Sequence, residues 1–258
     1  KDSKASPYSS LSASVNLGSS DYFRQSVNQL NTPNFLNNNL SSSVSYSKTF
    51  PGKAGVRLSL TTSMSQNTQS KEVNITLPTF TLNTGRFYPF VKEGTTKKGF
   101  IKNINLQYSS KADNRATLPD DLLFKKGMFE NSKNGMLHMI PISTNFKAFK
   151  FFSISMGGNY QEVWALKTKR YFDYNEVDGA VEEEIKGFDR FAMYNYSASM
   201  TTNIYGTLNF KPDNKIQSIR HVITPSISYS NSPSFEKYYD TYIVDAEGNT
   251  AEYTRFQG

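Results

Sequence analysis

The chain of 258 residues contains no cysteine. Disulfide frameworks, thiolate metal sites and cysteine nucleophiles are therefore all excluded. Its two histidines, His138 and His221, leave little for acid/base chemistry, and charged residues make up only 20% of it. No window approaches the roughly 18 consecutive apolar residues of a membrane helix, and the opening stretch from Lys1 to Pro7 lacks the apolar core of a signal peptide. A mean hydropathy of −0.56 still leaves membrane barrels open, because their strands carry a polar residue at every second position. What is abundant is 14% aromatic residues together with 32 Ser, 24 Asn and 21 Thr. Ser, Asn and Thr compete with the helical backbone through their own side chains, whereas Tyr, Phe and Thr fit a pleated surface. Composition predicts an all-β chain long enough to bury a sizeable core.

The net charge of +7 comes from 29 basic against 22 acidic residues. It suits an anionic partner such as nucleic acid or lipid head groups and by itself selects neither. The tight basic groups are Lys97-Lys98, Lys125-Lys126 and Lys167 to Arg170, read as solvated loop residues.

Apolar residues recur with a period of two. Val56, Leu58, Leu60, Thr62 and Met64 alternate with Arg57, Ser59, Thr61, Ser63 and Ser65. The same alternation places strands at Leu11 to Leu17, Leu40 to Tyr46, Val73 to Leu77, Ile104 to Tyr108, Ile140 to Phe146, Phe152 to Tyr160, Tyr194 to Phe210 and His221 to Tyr229. The Tyr194 to Phe210 strand is longer than the nine to eleven residues of a membrane crossing. Nine strands is an odd number, whereas bacterial single-chain barrels use even ones, so the expectation is a segment of a larger barrel, with both edges unpaired if it stood alone.

Connections alternate in length. Those at about 48 to 54, 149 to 151 and 211 to 218 are short; those at 18 to 39, 110 to 138, 161 to 190 and 231 onward are long and polar. The exceptions are the short 66 to 72 link and the long 83 to 99 link. Tight turns at one end and long loops at the other are the asymmetry of an up-and-down antiparallel membrane barrel. Aromatics bracket the aliphatic stretches, with Tyr160, Trp164, Tyr194 and Tyr196 toward the long loops and Phe149, Phe151, Phe152 and Phe210 toward the short turns, as girdles at two head-group levels would.

Enzymatic and metal chemistry finds no constellation. Asp173, Glu176, Asp178 and Glu182 to Glu184 lack the spaced ladder and turn glycine of a calcium loop. The histidines have no partner at ligand spacing. No Gly-x-Ser-x-Gly occurs, and Gly157-Gly158 is followed by no lysine or helix. The Lys147 to Phe152 run interleaves cations and rings like a stacking platform for single-stranded nucleic acid, but it reads better as a tight turn at a membrane surface; no catalytic residue, metal, cofactor or nucleic-acid partner is expected. Pro78, Pro141 and Pro225 fall inside strand patterns, where proline removes a ladder donor and weakens the strand. At Pro78 the apolar parity also changes, from Val73, Ile75, Leu77 to Phe80, Leu82, which predicts a bulge of one residue.

Four stretches carry a family likeness: FLNNNLSSSVSYSKTFPG (Phe35 to Gly52), ITLPTFTLNTGRFYPF (Ile75 to Phe90), GMLHMIPIS (Gly135 to Ser143) with its continuation to Trp164, and IRHVITPSISYSNSPSF (Ile219 to Phe235). In this order they resemble the Bacteroidota branch of the lipopolysaccharide-assembly outer-membrane protein LptD. The resemblance implies a barrel of about 26 strands in the outer membrane of a Gram-negative bacterium. Such a barrel receives lipopolysaccharide from periplasmic bridge proteins and releases it sideways into the outer leaflet. It also implies an LptE-like plug lipoprotein in the lumen and a periplasmic jelly-roll domain, which is not recognisable here, so that residues 1–258 form part of one barrel domain. Some relatives mature through disulfides, in which this segment takes no part.

On this reading the lumen face is Arg57, Ser59, Ser63, Asn195, Ser199, Asn203, Asn209, Arg220 and Ser228. The face toward outer-membrane lipids is Val56, Leu58, Leu60, Met64, Ile154, Met156, Met200, Ile204, Leu208, Ile223 and Ile227. Two alternatives remain: a nutrient-uptake barrel of the TonB-dependent type, which would carry a plug domain and an energy-coupling segment, and a soluble β-sandwich adhesin binding glycans, in which the oily rows would face each other across a dry core.

Overall fold

The computed structural model describes residues 6–16, 39–92, 94–95, 99–129, 132–211, 213 and 215–256. Among them are fourteen strands: β1 (Ser9–Ser14), β2 (Asn39–Phe50), β3 (Val56–Asn67), β4 (Glu72–Asn83), β5 (Asn105–Leu106), β6 (Ser109–Pro119), β7 (Lys133–Ala148), β8 (Phe152–Tyr171), β9 (Glu182–Thr201), β10 (Ile204–Asn209), β11 (Ser218–Ile223), β12 (Ser226–Asn231), β13 (Tyr239–Ile243) and β14 (Thr250–Thr254). Short 3₁₀ turns are the only helical elements among the described residues, and no helix is long and apolar enough to cross a membrane.

One antiparallel sheet runs in the order β1-β2-β3-β4-β6-β7-β8-β9-β12, with β5 paired to β7 beside that path. Apart from the last step, every neighbour in the path is also the next long strand in sequence, the up-and-down order expected from the alternating links. The sheet is open, with β1 and β12 at its edges. Among the described residues the other two sheets are the two-stranded ribbons β10-β11 and β13-β14.

Directly opposed residues in an antiparallel pair project to the same side, so the register alone assigns faces. The row Tyr46, Leu60, Phe80, Ala112 crosses β2, β3, β4 and β6, and the row Phe146, Ile154, Met200, Ile227 crosses β7, β8, β9 and β12. Between these apolar residues the polar ones form rows of their own, such as Ser47, Ser59, Thr81, Lys111 and Asn145, Ser155, Ser199, Ser228.

The bulge at Pro78 is present. Thr61 pairs with Thr79 and Ser63 with Thr76, leaving one extra residue in β4. Its consequence is that Val73 and Ile75 share a face with Phe80 and Leu82 although their parity differs. Pro141 lies opposite Gln107, where β6 has ended and β5 has not begun; Gln107 N donates to Pro141 O at 3.2 Å, and proline returns no bond. Pro225 interrupts another ribbon in the same manner. Met200 opposes Ile227 and Ile204 opposes Ile223, so the register is constant through the break, where Thr202 N donates to Pro225 O at 3.2 Å.

Several expectations need correction. The strand placed at Ile104 to Tyr108 is the short β5, and the long strand is β6, which carries Lys111, Asp113 and Arg115 on one face and small Ser110, Ala112, Ala116 on the other. Its low hydropathy hid it. The 161 to 190 link shrinks to 172–181, because β8 and β9 each run to 20 residues and continue as a charged ladder. The single strand from Tyr194 to Phe210 divides into β9 and β10, and that from His221 to Tyr229 into β11 and β12. Beyond 231 the chain forms the hairpin β13-β14. Leu17, most of the 18 to 39 link and Lys97-Lys98 lie outside the described residues.

Candidate functional site: a two-faced sheet

Six of the residues assigned from sequence to the polar set, Arg57, Ser59, Ser63, Asn195, Ser199 and Ser228, occupy one face of the main sheet. Val56, Leu58, Leu60, Met64, Ile154, Met156, Met200 and Ile227 occupy the other. The remaining assigned residues sit on the β10-β11 ribbon, where Ile204 opposes Ile223 and Leu208 opposes Ile219 on one side, while Arg220 and Asn209 lie on the other. Asn203 is in the break itself, where its side-chain oxygen accepts from Thr224 Oγ1 at 2.8 Å.

The polar face is a lattice of neutral hydrogen-bonding groups. Ser10 and Ser47 hydroxyls meet at 2.7 Å, Ser12 and Ser45 at 2.7 Å, and Thr81 donates to Ser59 at 3.1 Å. Each of these serines satisfies a neighbour across the strand gap, and this part of the surface stays wettable with few fixed charges. On the apolar face large side chains are bare. Ile227 is 66% exposed, and Leu60, Ile142, Met156 and Met200 are exposed as well. A contiguous row of this kind marks a surface that water does not normally meet.

One corner of the apolar face differs. Val73, Ile75, Ala116 and Leu118 are buried in a cluster against Met64, Leu77, Leu123 and Met128. Leu123 and Met128 belong to the 120–132 loop, so the chain's own loop covers this corner.

Charge is concentrated beyond the aromatic level, toward the long loops. On the polar face Lys167 Nζ meets Glu184 at 2.8 Å and Lys169 Nζ meets Glu182 at 2.7 Å. Those two bonds explain why the β8-β9 ladder continues past the aliphatic belt. Hydrogen bonding to Lys169 and then to Tyr171 holds the Glu182 carboxyl below its ordinary range. On the same face the β13-β14 hairpin lies over the strands: Tyr171 stacks on Tyr242 at 4.7 Å, Phe191 meets Phe256 at 4.6 Å, and Arg255 pairs with Asp189 at 2.8 Å.

A second cluster, on the apolar face above Tyr160 and Tyr194, was not foreseen. Glu162 accepts from Tyr160 Oη, from Trp164 Nε1 at 2.8 Å and from Arg190 at 2.9 Å. His138, directly opposite Glu162, is bonded to Tyr108 Oη at 2.8 Å and lies 4.3 Å from the Trp164 ring. Three strands and Tyr108 of the β5-β6 link supply these groups, so no local sequence pattern could have assembled them. The isolated His138 and Glu162 carried no signal beyond their types. Among the described residues no group of acidic residues or histidines is arranged to hold a metal ion.

The lysine and phenylalanine run at 147–152 forms the β7-β8 turn, with Phe149 and Lys150 at positive φ and the rings of Phe149 and Phe151 almost fully exposed.

No curated protein and no solved structure matches the chain. A family model described as "LptD protein" matches residues 1–258. An all-β, up-and-down sheet with one wettable and one bare apolar face is the architecture of an outer-membrane barrel wall. With the match spanning every residue, the chain belongs to the LptD family of outer-membrane proteins for lipopolysaccharide transport and assembly.

Proposed function

We propose that this sheet is a stretch of barrel wall whose polar face lines the passage taken by lipopolysaccharide and whose apolar face meets outer-membrane lipid. The observation that carries this reading is the sorting of side chains by face through the belt of the main sheet, from the serine ladders of β1-β2 to Ser199 and Ser228 at its far edge. A hydroxyl-lined wall exchanges hydrogen bonds with sugars and water as they move and holds neither tightly. No bond of the cargo is made or broken in such a passage. The weakened pairing at Pro78, Pro141 and Pro225 leaves local give in the wall. Release sideways into the outer leaflet, delivery by periplasmic bridge proteins, and occupation of the lumen by a plug lipoprotein of the LptE kind belong to the same proposal.

The test uses the absence of cysteine in this chain. Ser59→Cys and Ser199→Cys should react with a small charged maleimide added to outer-membrane vesicles, whereas Leu58→Cys and Met200→Cys should react only with a lipid-soluble one. The reverse pattern overturns the orientation.

A further inference from the structure

On the polar face, toward the long loops, β6, β7, β8 and the tail of the β13-β14 hairpin enclose a cavity of about 450 Å³. Its floor is small or apolar: Gly135 opposes Ala165, and Leu137 opposes Val163. Phe256 closes one side. The rim is cationic, with Lys111, Arg115, Lys133, Lys167 and Lys169 against the carboxylates of Asp113 and Glu184. Five cations against two anions leave an excess of three. Counting Glu182, which pairs with Lys169 from just outside, leaves two. Lys111 and Arg115 share the single carboxylate of Asp113, at 2.8 and 2.9 Å. Elsewhere on this face the row Asn145, Ser155, Ser199, Ser228 is neutral. The cavity is therefore where the wall changes, toward the long loops, from a neutral middle row to an anion-seeking rim.

Cations grouped around an apolar floor and an aromatic edge suit a ligand with both anionic and ring-shaped parts. Among the described residues the carboxylates Asp113, Glu184 and Glu182 balance three of the five cations, and water-filled space needs no excess cation. We infer that this cavity is a binding station for phosphorylated sugar. It engages the phosphate-bearing part of the lipopolysaccharide saccharide as it passes the outer end of the wall. The inference rests on the proposal that the polar face lines the passage, and it adds a fixed point on that path.

A photoreactive benzophenone amino acid placed singly at Val163, Ser199 or Met156 of the intact protein in outer-membrane vesicles tests it. Intact and enzymatically dephosphorylated lipopolysaccharide are compared during transport. The expected result is labelling at both Val163 and Ser199, with the Val163 adduct falling about tenfold on dephosphorylation, as the loss of a charge-assisted contact implies, and the Ser199 adduct unchanged. Because dephosphorylation alters only the cargo, folding of the protein does not enter. Lys133→Glu should lower the Val163 adduct in the same direction. Equal labelling of the two lipids at Val163, or labelling at Ser199 with none at Val163, overturns the station and leaves the passage standing. Labelling at Met156 in place of both polar-face positions overturns the passage itself.

Discussion

The apolar face is built in two ways within one sheet. In the β3-β4-β6 corner it is a small dry core: Val73 has no exposed surface, Ile75 and Leu118 have almost none, and Leu123 and Met128 of the following loop close over them. In the β7-β8-β9 block the equivalent rows, Ile142, Met156 and Met200, are uncovered. The first region buries its apolar surface against protein in the way a soluble domain does. In the second, Phe100 covers Phe146 and Thr144 at the turn end, Ile142, Met156 and Met200 stay exposed, and in the proposed orientation membrane hydrocarbon takes the part of a cover. Alternation of side chains is the same in both, so what separates them is the length and composition of the loop that follows. Between β6 and β7 the loop carries Leu122, Leu123, Phe124, Met128 and Phe129 and folds back, whereas between β8 and β9 it is acidic and does not.

The comparison can be broken most severely at the bulge. Deleting Pro78 removes the extra residue that keeps Val73 and Ile75 on the same side as Phe80 and Leu82, and a one-residue slip turns a whole half-strand over. The expected outcome is failure to assemble, read as loss of the heat-dependent shift in gel mobility. A barrel that assembles normally would show that β4 has another way to restore its parity.

Next in size is a matched pair of substitutions. Ile75→Ala in the covered corner should cost about 2 to 5 kcal/mol through its cavity, in detergent and in lipid alike. Ile154→Arg in the uncovered block should cost about 2 to 4 kcal/mol in the bilayer interior, and Leu58→Arg, opposite Lys48 beside the β2-β3 turn, less. Denaturant unfolding in vesicles and in detergent measures both. If Ile154→Arg is neutral in vesicles, the uncovered block does not face hydrocarbon.

The smallest effect sharpens the boundary between the belt and the outer rim. Glu182, beyond the belt, has its pKa lowered in the folded state by Lys169 and Tyr171. Its contribution is therefore present above the carboxyl's unfolded pKa and is lost as pH falls through the lower folded value. Acid should loosen the outer end of β9 before the belt, seen as faster amide exchange at Glu182 to Glu184. Lys169→Met should move that loosening to higher pH. An unchanged midpoint would remove Lys169 from the account.

Much of this was legible because a strand in contact with two different solvents must write the difference at every second position. Val56 to Met64 and Phe152 to Tyr160 fall where alternation placed them, and the bulge was readable because a parity change at Pro78 has a single cheap geometric cause. The strand β6 was not legible, since its apolar side holds small residues and its polar side is charged. The outer halves of β8 and β9 were hidden for a related reason: Lys167, Lys169, Glu182 and Glu184 look like a solvated loop until the register brings each cation within reach of a carboxylate diagonally across the strand gap. Residues such as His138, Glu162 and Arg190 meet only after three strands have been laid side by side.

The sequence by itself determined the period of two, the order of the strands and which residues share a face, because these follow from local backbone geometry and from the contrast between neighbouring side chains. Only the tertiary structure decided which apolar rows are covered, where prolines interrupt pairing without shifting register, and where cations collect into a cavity. Each of these depends on residues distant in the chain being brought within a few ångströms, and alternation along one strand carries no record of its neighbours.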